Sequence, residues 1–89
     1  MKKQTLSIDQ LLDRISVNPK VMVGKPVIRG TRIPVELIVK MLAQGIPEKE
    51  ILEEYPRLEQ EDIRAALAYA SAILSNEEVI PLVENEPPL

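Results

Sequence analysis

The sequence has no cysteine, no histidine, no phenylalanine and no tryptophan. Without cysteine there is no disulfide, no thiolate nucleophile and no cysteine-ligated metal. Without histidine the usual general base near neutral pH and the commonest metal ligand are both missing, so nucleophilic triads that need it cannot be assembled. No run of about 18 apolar residues occurs, which excludes a membrane-spanning helix. Met1, Lys2 and Lys3 lead into Gln4, Thr5, Ser7 and Asp9, not into the apolar stretch of a signal peptide. The expectation is a cytoplasmic, soluble, non-enzymatic protein with no metal and no cofactor. The aromatics are Tyr55 and Tyr69, so the core must come from Leu, Ile, Val and Ala. A chain of 89 residues is one domain. By size scaling it buries roughly 60–65% of its unfolded surface. That thin core predicts a homodimer.

Net charge is −3, unevenly spread. Residues 15–40 carry a net +4, residues 48–62 a net −5 and residues 77–89 a net −4. A basic front and an acidic back suit self-association or a charged partner. The acids of 48–62 lack a turn-based ligand loop and are read as a solvated face, not a metal site.

Ser7 caps a short helix over residues 8–14, with Ile8, Leu11, Leu12 and Ile15 at helical spacing. Asn18-Pro19 breaks it. Residues 15–35 are rich in Val and Ile and punctuated by Pro19, Gly24, Pro26, Gly30 and Pro34. They read as β, with a hairpin folding about Gly30 so that residues 27–29 face residues 31–33. Pro34, at a first helical position, opens a helix over about 35–44 that Gly45 ends. Pro47 opens another over 48–55, stopped by Pro56. A third covers about 60–75, its apolar stripe being Ile63, Leu67, Ala70 and Leu74. The fold expected is mainly α with a small β-hairpin. It is a three-helix homeodomain-like or winged-helix-like helix-turn-helix unit, preceded by a short helix and the hairpin. Residues 1–76 form the domain, and residues 77–89 an acidic, proline-containing tail.

The run Gly24-Lys25-Pro26-Val27-Ile28-Arg29-Gly30-Thr31-Arg32-Ile33-Pro34-Val35 resembles the signature GKPxIxGTRIxV of a small prokaryotic domain-of-unknown-function family. Three later motifs follow in order: residues 45–52, Tyr55-Pro56-Arg57-Leu58, and residues 62–70. The resemblance covers about residues 15–75. It implies a homeodomain-like fold and similarity to VapB-type antitoxins of toxin–antitoxin operons, whose neighbours often encode a PIN-like nuclease. Where members often have Ser or Thr before the second and third helices, this chain has Pro47 and Glu59. Pro47 forgoes a side-chain cap, worth about 1 kcal/mol. Glu59, Glu61 and Asp62 suit the helix dipole but repel a DNA major groove from the start of the third helix.

The candidate DNA-binding residues are therefore Lys25, Arg29 and Arg32, with Arg64 on the third helix in reserve. For Arg32 two readings stand: an ion pair with Glu36, Glu50 or Glu54, or contact with phosphate or with a carboxylate-rich nuclease site. The planar guanidinium fork serves either of the latter. Gly24, Pro26, Gly30 and Thr31 are the structural signature. Val79, Ile80, Leu82 and Val83 are the candidate partner-binding residues, since prolines forbid helix there while an extended segment can pair with an open sheet edge. The function expected is a non-enzymatic antitoxin-like protein that neutralises a PIN-like nuclease toxin and autoregulates its operon. The alternative is a stand-alone dimeric DNA-binding regulator.

Overall fold

The structure, a computed structural model, describes residues 6–76. Among the described residues the fold is mainly helical, with four α-helices and one two-stranded antiparallel hairpin. Helix α1, Ile8–Leu12, begins with a capping box: Ser7 Oγ accepts from the Gln10 N–H, and Gln10 Oε1 accepts from the Ser7 N–H at 2.8 Å. Strand β1, Ile15–Val17, pairs with β2, Pro26–Ile28, in the register Ile15↔Ile28, Ser16↔Val27 and Val17↔Pro26.

The hairpin expected about Gly30 is thus displaced: its connection is residues 18–25, and its second strand enters the Gly30 turn. Beyond that turn a single bridge, Val27↔Pro34, returns to the sheet among the described residues. Thr31 explains why. Its hydroxyl donates to the Ile28 carbonyl at 2.7 Å and accepts from the Ile33 N–H at 2.9 Å. Those two backbone groups are satisfied locally, and Pro34 has no N–H with which to extend a ladder. The Thr31 N–H also returns to the Ile28 carbonyl, closing a tight turn with Gly30 at φ +81°.

Helix α2 is Val35–Ala43, α3 is Glu48–Glu54 and α4 is Gln60–Asn76. Pro34 and Pro47 occupy the cap positions, one residue earlier than the first helical position expected, with extended backbones. Their carbonyls accept the first helical N–H groups, from Leu37 and from Glu50 and Ile51. Gly45, at φ +86°, ends α2: its N–H donates to the Leu42 carbonyl and the Ile46 N–H to the Met41 carbonyl. That is the paired arrangement in which a left-handed residue closes a helix.

The core takes one fully buried isoleucine from each of β2, α2, α3 and α4: Ile28, Ile38, Ile51 and Ile63. Helices α1 and α2 both pack on α4, where the side chains of Ala65 and Ala66 are fully buried and let them approach closely. The stripe expected on α4 is corrected accordingly. Leu67 and Leu74 are 44% and 68% exposed, while Asp62, Ala65 and Ala68 are buried.

Asp62 is buried because it is fully partnered. Its Oδ1 accepts from Arg14 Nη1 at 3.1 Å, and its Oδ2 accepts from the Glu59 N–H at 2.8 Å, capping the start of α4. Arg14 Nη1 also meets Glu59 Oε1 at 3.0 Å. Hydrogen bonding to Glu59 first, then to Asp62, holds the Arg14 guanidinium protonated more firmly than an ordinary arginine. Asp62→Ala removes the cap and the buried carboxylate together and is expected to cost about 1–3 kcal/mol. Glu59→Ala touches an exposed pair and should cost under about 1 kcal/mol. Urea unfolding of both variants measures the difference; equal losses would place the buried link elsewhere. Gly30→Ala meets nothing within 4 Å of the added Cβ, so its expected cost, about 1 kcal/mol, is purely that of a left-handed backbone. A melting temperature equal to the parent's would contradict it.

Candidate functional site

Arg29 is structural in this fold. Its Nε donates to the Asp13 carbonyl at 2.8 Å and its Nη2 to the Ile15 carbonyl at 3.3 Å. Its own N–H donates to the Arg14 carbonyl at 2.7 Å. These three bonds clamp the end of β2 to the corner between α1 and β1. Lys25 is also engaged: its Nζ donates to Glu36 Oε2 at 2.9 Å, both side chains standing in solvent. The Lys25 hydrogen bond, and then its charge, hold the Glu36 carboxyl below the usual glutamate value.

Arg32 has no ion pair among the described residues, and the pairings considered with Glu36, Glu50 or Glu54 do not form. It is exposed and lines an open cleft of about 550 Å³ with Arg57, Ser16, Val21, Val27, Gly30, Thr31 and Ile33. Arg57 comes from the segment joining α3 to α4, and its Nη2 donates to the Gly30 carbonyl at 3.0 Å. Two guanidinium groups, from turns distant in sequence, therefore share a cleft whose lining, among the described residues, contains no carboxylate. Carboxylates stand next to it: Asp13, Glu59 and Asp62 line the adjoining cleft, which Arg57 also lines, and there Arg14 pairs with Glu59 and Asp62.

Arg57 falls in the Tyr55-Pro56-Arg57-Leu58 motif but is not among the candidate DNA-binding residues that the sequence suggests. The only signal available was an exposed arginine in a short turn between two helices. Arg64 lies elsewhere, exposed on the outer face of α4 beside Leu67. Of the signature residues, Pro26 pairs with Val17, Gly24 has φ +80°, and Gly30 and Thr31 build the turn under Arg32. Before Gly24, Met22 and Val23 also take left-handed backbones, at φ 51° and 56°, and Val23 is 93% exposed. For a β-branched residue such a backbone costs on the order of 1–3 kcal/mol. Val79, Ile80, Leu82 and Val83 lie outside the described residues. Among the described residues no three acidic side chains gather to hold a metal ion, and no helix is long and apolar enough to cross a membrane.

Residues 15–70 match the family model described as "Protein of unknown function (DUF433)". The chain is similar to a crystal structure of a DUF433 member from Anabaena variabilis, with TM-score 0.67, 40% identity, and coverage of 76% of this chain and 67% of that one. It is 40% identical over 58 residues to the uncharacterized protein y4eO of Sinorhizobium fredii, covering 65% of this chain and 26% of the relative. It thus spans about a quarter of that protein's length. It is 60% identical over 30 residues to an uncharacterized protein of Archaeoglobus fulgidus, covering 34% of this chain and 83% of that one.

The Lys25–Glu36 pair has a measurable signature. Because the Glu36 value is depressed on folding, the pair's stabilisation is present above the unfolded glutamate value and fades as pH falls through the folded one. Both groups are exposed, so its contribution to stability is small. Lys25→Ala is expected to raise the Glu36 titration midpoint toward an ordinary glutamate, while Arg32→Ala leaves it in place. Carboxyl-carbon NMR titration reads both; a midpoint indifferent to Lys25→Ala would break the assignment.

Proposed function

The chain belongs to the DUF433 family, and we propose that it is a non-enzymatic, antitoxin-like binding module. In this reading it is a cytoplasmic homodimer that neutralises a partner PIN-like nuclease toxin and contacts the DNA of its own operon. The observation that carries the reading is the carboxylate-free cleft shared by Arg32 and Arg57. A nuclease site rich in carboxylates and a DNA phosphate present the same kind of target: planar or tetrahedral oxyanions that guanidinium forks grip at two points. Ser16 and Thr31 add hydroxyl groups to the same lining.

In this reading α3 and α4 form a homeodomain-like helix-turn-helix, but DNA contact runs along its edge. Of the acids at the start of α4, Glu59 and Asp62 are directed at Arg14 and Asp62 also at the Glu59 N–H, and in this reading a major groove is not met by that end. Arg32 and Arg57 lead, because Lys25 and Arg29 already have protein partners. Val79, Ile80, Leu82 and Val83 would hold the toxin by lying along an open sheet edge. The second reading, a stand-alone DNA-binding regulator, is favoured by Arg64, exposed on α4's outer face.

Co-expression with the nuclease of a neighbouring gene tests the first reading. The parent should co-purify with it, and Arg32→Ala with Arg57→Ala should lose the complex while Arg64→Ala keeps it. On operator DNA, removing one arginine–phosphate interaction should flatten the dependence of log K on log salt by roughly 0.9. A complex and a salt slope both unchanged in the double variant would overturn the assignment. Loss of DNA binding with Arg64→Ala alone would move it to the second reading.

A further inference from the structure

An apolar groove of about 470 Å³ runs between α2 and α4, away from the arginine cleft. Its floor is the α2 stripe Val35, Val39 and Ala43; its opposite wall is Tyr69, Ala70, Ile73 and Leu74 of α4. Ile73 and Leu74 are 42% and 68% exposed, in the last turn of a helix that ends at Asn76. The charges lining it, among the described residues, are Lys25, Glu36 and Lys40. Glu36 is taken by Lys25, and Lys40 forms no ion pair among the described residues. The groove is therefore apolar in the middle and cationic at its rim.

The chain continues from this wall with Glu77-Glu78-Val79-Ile80-Pro81-Leu82-Val83-Glu84-Asn85-Glu86. Five apolar residues stand between two pairs of acids, the complement of an apolar floor with a lysine rim. The lengths agree as well. Five extended residues span about 16 Å, and the stripe from Val35 to Ala43 rises about 12 Å. Pro81 suits an extended backbone and excludes a continued helix. Alternation along that backbone places Val79, Pro81 and Val83 on one side, so three apolar groups can enter the groove together.

We propose that residues 79–83 lie in the groove between α2 and α4 of their own chain, with a flanking glutamate toward Lys40. The docking is intramolecular, since the segment starts five residues beyond Leu74 of the groove wall and is held there at high effective concentration. It does not rest on the antitoxin reading. Where a partner also takes this segment, the two states exclude one another, and the groove is uncovered as the partner binds.

The cysteine-free sequence makes the test direct. In the full chain, Ala43→Cys, at an exposed groove position, is combined in turn with Val79→Cys, Pro81→Cys or Val83→Cys. Lys49→Cys, on exposed α3, replaces Ala43→Cys in the controls. Under mild oxidation at least one groove pair should cross-link at monomer mass, roughly tenfold faster than its control, at a rate independent of protein concentration. As a second measurement, Val79→Asp with Val83→Asp should shift the NMR signals of Tyr69 and Ile73 while leaving those of the buried Ile63 in place. Equal rates for groove and control pairs, or unshifted Tyr69 and Ile73 signals, would overturn the proposal. Cross-links only at dimer mass would overturn it in favour of a second copy as occupant. None of these outcomes depends on a nuclease or on DNA.

Discussion

The carboxylate of Asp62 is buried in a protein with few means of tolerating it. An ionised carboxylate removed from water costs several kcal/mol unless charge and hydrogen bonds replace the lost hydration. Here the Arg14 guanidinium and the Glu59 N–H do so, at 3.1 and 2.8 Å. One partner belongs to the corner between α1 and β1 and the other to the start of α4, so satisfying this carboxylate fixes the N-terminal segment against the longest helix. Arg29 extends the same constraint from the other side, holding the carbonyls of Asp13, Arg14 and Ile15. The α1–β1 corner is thereby tied to β2 and to α4 at once. The turn carrying Arg32 inherits its position from both.

This wiring sorts the charges by role. Arg14, Arg29 and Lys25 are spent on the fold or on a surface pair, while Arg32 has no ion pair among the described residues. Arg57 is intermediate: its Nη2 bonds the Gly30 carbonyl, and it forms no ion pair among the described residues although it also lines the neighbouring cleft with Asp13, Glu59 and Asp62. A carbonyl partner orients a cation without neutralising it. A carboxylate partner would have removed the reason to regard the cleft as an oxyanion site. The acids of residues 59–62 favour α4 through its dipole and its cap and answer Arg14, which accounts for an acidic helix start without invoking a bound metal.

Much of the helical layout was legible because its signals are local. Ser7, the prolines at 34 and 47, and Gly45 each act within one turn of chain. The misplaced hairpin shows where local signals fail. Gly30 between two Val/Ile-containing runs has the look of a hairpin turn, and a turn does form there. Whether a ladder follows depends on competition for the Ile28 carbonyl and the Ile33 N–H, and the Thr31 hydroxyl wins both. Likewise Leu67 and Leu74 keep helical period with Ile63, but period says nothing about where the covering helices end. The short α1 and α2 cover the alanine faces of α4 and leave those two leucines in solvent. Arg57 escaped notice because its value lies in meeting a turn 27 residues earlier in the chain.

The two surfaces that remain after the fold is satisfied differ in chemistry and draw on different residues. The Arg32–Arg57 cleft is built by the Gly30 turn and the α3–α4 connection; the apolar groove is built by α2 and the end of α4. No described residue lines both. They are nonetheless neighbours along the chain: Pro26 lines the groove and the next residue, Val27, lines the cleft, while Ile33 lines the cleft and Val35 the groove, with the Val27↔Pro34 bridge tying the two segments together. Coupling between the surfaces has its shortest path through β2 and the bend into α2. Substitutions at Arg57 and at Leu74, remote from that shared segment, are then expected to act independently, whereas those at Val27, Ile33 or Val35 act on both surfaces at once.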